Sequence, residues 1–232
     1  MKVLKDTFRP EMARIKRELE ALRGLTVHVG IIGAEGDLIM IARVHEYGAT
    51  ITAKNVRNLT IPLTKEAKAA KSPRNLEGLE WVPGRQPGLS FLVRPRKRKA
   101  RGEKGREQRE YVDGKTKFDP ADYDWLYMLV HSVNIPERSF IRASFDNGKD
   151  TLDTICKEAI DGIIRNGWTA QEAADYIGKW AMEMTREYFN TQLGPPKAAV
   201  TKLTTSQPDN VLFDSGRLYN SITYKVEGGA QA

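Results

Sequence analysis

The sequence predicts an α+β fold in which a small mixed β-sheet packs against long α-helices. One observation is the apolar period: long stretches repeat apolar residues at helical spacing, whereas short runs alternate in polarity or are rich in β-favouring residues. Another is the change from strand to helical spacing within residues 133–145. The composition, with 40% hydrophobic and 29% charged residues, is typical of a folded globular chain.

The chain is predicted to consist of a core and an inserted arm. Residues 1–51 and 133–232 are expected to form the α+β core, and residues 52–132 a β-rich arm that carries a basic loop at 94–117. The chain has 232 residues, which is enough to bury a core as one elaborated domain or as two domains.

The N-terminal elements follow from periodicity and from turn residues. Residues 8–23 are predicted to form an amphipathic helix and residues 25–32 a strand. A second helix is expected at 38–47, with Asp37 as its N-cap and Gly48 at its end. Because this helix is apolar nearly all round, we expect it to be buried or to face an interface.

The arm is predicted to be rich in short strands and loops. Pro62 lacks a backbone N–H and therefore indicates an edge strand. Strands are expected at residues 49–56, 59–63 and 89–93, a helical turn at 64–70 and a mainly irregular loop at 72–88.

Residues 133–145 are predicted to join a strand to a long helix. Pro136 has no N–H to lose in a first helical turn, and Glu137 suits the positive end of the helix dipole. The helix is therefore expected to begin near Pro136, to be interrupted near Gly148 and to end at Asn166.

The remaining C-terminal part is predicted to contain a helix, a loop and a closing strand. Thr169 and Glu172 form a capping box at the start of the helix. A polar loop is expected at 197–210, then a helical turn capped by Asp214 and a strand through 222–226. The apolar stripe of the helix is predicted to consist of Ala173, Ile177, Trp180, Met184 and Tyr188.

The positive charge of the chain is concentrated in one segment. Residues 94–117 hold eleven Lys or Arg and four acidic residues, a net charge of +7 that equals that of the whole chain. Such a segment could neutralise DNA phosphates, dock on an acidic protein, or only be solvated. Few aromatic residues lie among the charges, so base stacking is not implied. The candidate contact residues are Arg94, Arg96, Lys97, Arg98, Lys99 and Arg101.

The sequence contains no pattern typical of an enzyme. His45 and Glu46 form half of a zinc-protease motif that lacks its second histidine, and the glycines after the first strand match no nucleotide-binding fingerprint. Cys156, the single cysteine, is expected to be a small core residue. We predict no catalytic residue, metal or cofactor, and neither a signal peptide nor a membrane span is visible.

Three separated motifs together resemble a family of tailed-phage proteins. They are ARVHEYG at 42–48, VNIPERSFIR at 133–142 and LFDSGRLYNSI at 212–222. In this order they resemble neck and tail-completion proteins, such as minor tail protein Z of lambda-like phages and virion morphogenesis proteins of Mu-like phages. Ser215 replaces the usual Thr, and many relatives have a short loop in place of the arm. The matching positions are Glu46, Tyr47, Gly48, Ile135, Pro136, Arg138, Phe140, Asp214, Gly216, Arg217, Leu218 and Ser221.

The resemblance implies a structural virion protein, without catalytic turnover, that forms a ring in the neck and joins the tail to the DNA-filled head. It implies a six-fold or twelve-fold homo-oligomer assembled in the bacterial host cytoplasm. Its partners would be other neck, connector and tail proteins, and double-stranded genomic DNA in the lumen.

Other interpretations stay open at this point. Arg138, Arg142 and Arg217 are candidates for contacts between subunits or with the lumen, with local ion pairs as the alternative. A tail terminator ring would fit the same motifs. A monomeric nucleic-acid-binding protein that uses the basic segment is a rival of a different class.

Overall fold

The computed structural model describes residues 8–96, 111–112, 115–116, 120–191, 193–205 and 207–228. About 48% of the chain is helix and 22% is strand, so the α+β class is confirmed. The sheets are small and antiparallel, whereas a mixed sheet was predicted. The chain divides into two units: the helical unit (Met1–Ala49, Ile135–Pro196 and Asp209–Ala232) and the sheet unit (Thr50–Asn134 and Lys197–Pro208).

The bounds of the elements are as follows. The helices are α1 (Phe8–Arg23), α2 (Gly36–Tyr47), α3 (Lys65–Ala70), α4 (Arg142–Asn147), α5 (Lys149–Arg165), α6 (Ala170–Asn190), α7 (Ala199–Thr204) and α8 (Arg217–Asn220). The strands are β1 (Leu25–Ile31), β2 (Ala49–Thr52), β3 (Leu59–Pro62), β4 (Glu80–Pro83), β5 (Ser90–Pro95), β6 (Tyr111–Val112), β7 (Lys115–Thr116), β8 (Tyr123–Val130), β9 (Ser132–Ile135) and β10 (Ile222–Gly228). Single 3-10 turns occupy Pro73–Asn75 and Pro120–Asp122.

The helical unit is built on the antiparallel pair of β1 and β10, with Leu25 opposite Gly228 and Ile31 opposite Ile222. Helix α6 packs on this pair and on α5, and α1 lies against both helices. One core cluster contains Phe140 and Phe189, whose rings pack edge to face with their centroids 5.2 Å apart. That cluster consists of Leu38, Ala42, Phe140, Phe189, Leu212, Leu218 and Ile222.

The sheet unit contains a four-stranded antiparallel sheet with the order β3–β8–β5–β4. Strand β3 lies at an edge, so the predicted edge position of Pro62 is confirmed. Helix α3 covers this sheet through the buried Ala67, whose carbonyl accepts a hydrogen bond of 2.9 Å from the Tyr127 hydroxyl. Strands β2 and β9 pair with each other, as do β6 and β7.

The predicted start of the long helix near Pro136 was wrong. Residues 136–141 are not helical, and α4 begins at Arg142 because a buried carboxylate, described below, takes the backbone N–H groups that precede it. The expected interruption is present, since Gly148 separates α4 from α5. The helical region also ends where predicted, with Asn166 as the C-cap residue of α5.

The apolar stripe predicted for α6 was partly wrong: Ala173 is buried and Ile177 packs on a core cluster, but one of its large residues lies in solvent. The capping box of Thr169 and Glu172 is present, but Trp180 of the predicted stripe is exposed. Small residues let α5 and the β1–β10 pair approach the helix closely; at Gly178, for example, a Cβ atom would collide with the Tyr224 ring. The buried residues of α6 are Ala170, Ala173, Ala174, Gly178, Ala181, Thr185 and Phe189.

Two predicted caps and one boundary differ from the structure. Glu35 rather than Asp37 is at the N-cap position of α2, and Gly216 rather than Asp214 is at that of α8. Segment 197–208, predicted as a polar loop of the core, contains α7 and belongs to the sheet unit. Its Lys197 ammonium donates to the Thr205 hydroxyl at 3.0 Å, a pairing that apolar periodicity cannot reveal.

Candidate functional site

The carboxylate of Glu46 caps the start of α4. This side chain lies at the end of α2, and the residue is only 4% exposed. One oxygen accepts the backbone N–H groups of Phe140 at 2.9 Å and Ile141 at 3.0 Å. The other accepts the Ser139 hydroxyl at 2.7 Å and the Arg142 N–H at 2.9 Å. One carboxylate therefore satisfies three backbone N–H groups at a helix start, where such groups have no intrahelical partner, and it also accepts from the Ser139 hydroxyl and the Arg142 Nε.

The two residues after Glu46 also contact this turn. The Arg142 guanidinium lies over the Tyr47 ring, 4.6 Å from its centroid, and donates to the Glu137 carboxylate at 2.7 Å. Gly48 has a φ of 69°, and a Cβ atom there would lie 2.9 Å from the Glu137 nitrogen. The Glu-Tyr-Gly triplet thus combines a cap, a cation–π contact and a close backbone approach, each of which needs its own residue type.

Arg138 is buried inside the helical unit. Its guanidinium donates to the carbonyls of Pro195 at 2.9 Å and Pro196 at 3.2 Å, and its backbone N–H donates to the His45 carbonyl. Burial lowers the pKa of this guanidinium. Pro136, earlier in the same turn, directly follows the end of β9 at Ile135. Arg138 therefore connects the turn to the segment that follows α6.

The third motif packs against α2. Leu218 of α8 is buried in the core cluster that also contains Leu38 of α2. Gly216 has a φ of 80°, in the left-handed region that favours glycine, and leads into α8. The Arg217 guanidinium contacts two carboxylates at the start of α2, Glu35 at 3.2 Å and Asp37 at 3.3 Å.

A groove of about 220 Å³ lies beside this contact. Its lining consists of apolar side chains and residues of the third motif. At the end of α8, which also lies in this motif, the Ser221 hydroxyl donates to the Leu218 carbonyl at 2.7 Å. The lining residues are Leu38, Ile41, His45, Phe189, Leu212, Phe213, Asp214, Ser215, Gly216, Arg217, Leu218 and Tyr219. This set mixes core residues with polar groups of the motif.

Two of the six basic candidates have carboxylate partners in the sheet unit. Arg94 forms a bidentate pair with Glu66, with both distances 2.8 Å, and this pairing lowers the pKa of Glu66. Arg96 donates to Asp124 at 2.7 Å. Their charges are therefore balanced locally. Lys97, Arg98, Lys99 and Arg101 lie outside the described residues.

No group of three or more His, Cys, Asp or Glu residues in the described part of the chain could hold a metal ion. Cys156 is half-buried rather than fully buried, and burial raises the pKa of its thiol. In the same described part, no helix is both long enough and apolar enough to cross a membrane.

We expect acid to destabilise the helical unit through Glu46. Burial by itself raises the pKa of this carboxyl, but hydrogen bonds from Ser139 and from three backbone N–H groups outweigh it and hold the pKa below its ordinary value of 4.5. A carboxyl with a lowered pKa in the folded state stabilises that state above pH 4.5, and this contribution is lost as pH falls through the folded pKa. An NMR titration of the Glu46 side chain measures that pKa, and a midpoint at or above 4.5 would contradict the expectation.

Sequence reasoning identified the Glu-Tyr-Gly triplet but missed what the carboxylate does. Its backbone donors lie 94 to 96 positions later in the chain, so no local pattern links them. The comparisons with known proteins add no further assignment: no protein family matches the chain, and no curated protein or solved structure shows significant similarity to it.

Proposed function

We propose that this chain is a structural virion protein of a tailed bacteriophage that forms a homo-oligomeric ring at the interface between head and tail. The observation that carries the proposal is that the three motifs of the resemblance meet in the helical unit. Glu46 of the first motif caps the second, and Arg217 of the third pairs with the first turn of α2. The motif positions thus support one packed core, and a rigid core is what a subunit of a ring needs.

The exposed side of α2 supports a role in assembly. Helix α2 packs into its own unit through Leu38, Ala42 and Glu46. Contiguous exposed apolar surface is typical of protein–protein contacts, whereas single exposed apolar residues need no explanation. The exposed large apolar residues of this helix are Ile39, Met40, Ile41 and Tyr47. We assign this face to the contact between neighbouring copies, with neck, connector and tail proteins as further partners.

The experiment that tests this function is a measurement of mass and copy number. Native mass spectrometry of the purified protein, together with protein quantification in virions, is expected to show a closed ring with copies in multiples of six. A protein that stays monomeric at all concentrations and is absent from virions would contradict the proposal. Antibody labelling of virions distinguishes a neck ring from a tail terminator ring.

We expect Met40→Glu to abolish ring assembly without unfolding the protein. Met40 is 62% exposed, so the substitution costs little in the isolated chain but puts a charge into the proposed contact. Size-exclusion chromatography with light scattering measures the change in mass, and circular dichroism checks the fold. Leu203→Glu on α7 is the matched control, since Leu203 is also 62% exposed. If both variants assembled equally well, the assignment of α2 to the contact between copies would be wrong.

A further inference from the structure

The two units carry charges of opposite sign. The helical unit has 17 Lys or Arg and 20 acidic residues, a net charge of −3, whereas the sheet unit has 20 and 10, a net charge of +10. The basic segment 94–117 supplies +7 of the latter. The remaining net charge of +3 in the sheet unit therefore lies outside this segment.

That part is a run of four exposed cations, Lys65, Lys68, Lys71 and Arg74, which we name the basic ridge. They recur at every third residue through α3, its C-cap and the 3-10 turn at Pro73–Asn75. Lys65 and Lys68, which are three residues apart within α3, lie on the same side of that helix. The only acidic residue between positions 65 and 74 is Glu66, so this short segment has a net charge of +3.

The backbone beneath the basic ridge is held by specific contacts. The Thr64 hydroxyl accepts the Ala67 N–H at 3.1 Å and so caps α3. Ala67 is buried against β8, and the Asn75 amide donates to the Ala70 carbonyl at 2.8 Å, which joins the 3-10 turn to the end of α3. The positions of the four cations are therefore set by the fold and do not depend on a partner.

Three of the four cations of the basic ridge have no carboxylate partner among the described residues, whereas the Lys68 ammonium donates to the Thr204 carbonyl at 3.4 Å. Glu66 is occupied by its bidentate pair with Arg94. Within the described part of the chain, Lys65, Lys71 and Arg74 form no ion pair. Exposed cations without an ion pair that lie within ten residues of one another produce a local positive potential that attracts anions.

Lys71 provides an independent observation. Its φ is 61°, and it is the only non-glycine residue with a positive φ among the described residues. Glycine is the usual residue at a left-handed helix C-cap, because a side chain there strains the backbone. Lysine at this position is therefore a less favourable choice for the backbone than glycine.

We propose that the basic ridge binds the phosphodiester backbone of duplex DNA without reading its bases. Protein–protein contacts usually have apolar or aromatic anchors and few lysines, and residues 65–74 contain no apolar residue larger than alanine or proline. They also contain no aromatic residue on which the bases of a single strand could stack. Phosphate neutralisation needs only cations, which this segment has. Duplex binding by the basic ridge would be a function beyond ring formation.

The test measures the affinity of the full-length protein for a duplex of about 30 base pairs by fluorescence anisotropy over a salt series. The triple variant Lys65→Gln, Lys71→Gln and Arg74→Gln is expected to bind at least roughly 10-fold more weakly at about 0.1 M salt, with a salt slope reduced by up to about 2.7. The matched control is the triple variant Lys149→Gln, Lys157→Gln and Lys179→Gln, which removes the same charge from exposed positions of the helical unit.

Lys71→Gly separates a DNA contact from a structural role. We expect this variant to be at least as thermally stable as the original protein, because glycine relieves the left-handed strain, yet to bind duplex DNA more weakly. Equal duplex affinity of the basic-ridge and control triple variants would overturn the proposal. The proposal would also be overturned if the basic-ridge triple variant bound polyglutamate or single-stranded DNA more weakly than the original protein but bound duplex DNA equally well. These results do not depend on whether rings form.

Discussion

Replacing Glu46 with Gln is expected to destabilise the helical unit by about 3 kcal/mol. The amide has one acceptor oxygen in place of two, and its NH₂ group would face backbone donors. At least one of the N–H groups of Phe140, Ile141 and Arg142 would then be buried without a partner. Arg142 would also lose its 3.1 Å ion pair with the carboxylate.

Hydrogen exchange at the amides of Phe140, Ile141 and Arg142 measures this effect directly, because Glu46 accepts all three. Their exchange is expected to accelerate in the variant by about two orders of magnitude if they open with the unit. Glu137→Gln is the matched control, because it removes an exposed carboxylate that pairs with the same arginine. We expect it to lower the free energy of unfolding by less than about 1 kcal/mol. Similar losses in both variants would show that the cap is not the main contribution.

Replacing Phe140 with Ala is expected to destabilise the same unit by about 3–5 kcal/mol. Phe140 is 0% exposed, and its ring packs edge-to-face on Phe189. The substitution removes buried apolar surface and leaves a cavity next to a turn whose backbone is held by Glu46, which limits collapse around the cavity. The expected loss of stability therefore has two parts: the lost transfer free energy of the ring and the cost of the cavity that remains.

Urea unfolding of the helical unit measures this loss. Trp168 and Trp180 report on that unit if Trp81 and Trp125 of the sheet unit are replaced by Phe in the background protein. The shift of the transition midpoint multiplied by its slope gives the change in the free energy of unfolding.

The control for Phe140→Ala is Phe8→Ala, since Phe8 is 71% exposed and its loss should cost less than about 0.5 kcal/mol. A cost below about 1 kcal/mol for Phe140→Ala would contradict the assignment of this ring to the core. Both large effects fall on motif residues.

Several parts of the fold were predictable because their signals are local. The apolar period of α1, the alternation in β10, the capping box of α6 and the edge proline of β3 each depend on residues a few positions apart. The errors have a different origin. Apart from Phe189, the buried face of α6 consists of small residues that pack against α5 and the β1–β10 pair, and the period of large apolar residues does not reveal them.

The sequence by itself determined the α+β class, most helices and strands, and the concentration of positive charge between residues 94 and 117. Only the tertiary structure decided that Glu46 caps a turn 94 residues later, because hydrogen bonds form through space and leave no periodic trace in the chain. Tertiary structure also decided which charges are balanced: Arg94 and Arg96 pair with carboxylates 28 positions away, whereas Lys65, Lys71 and Arg74 have no ion-pair partner among the described residues. Charge is a property of sequence, but the field of that charge depends on distance.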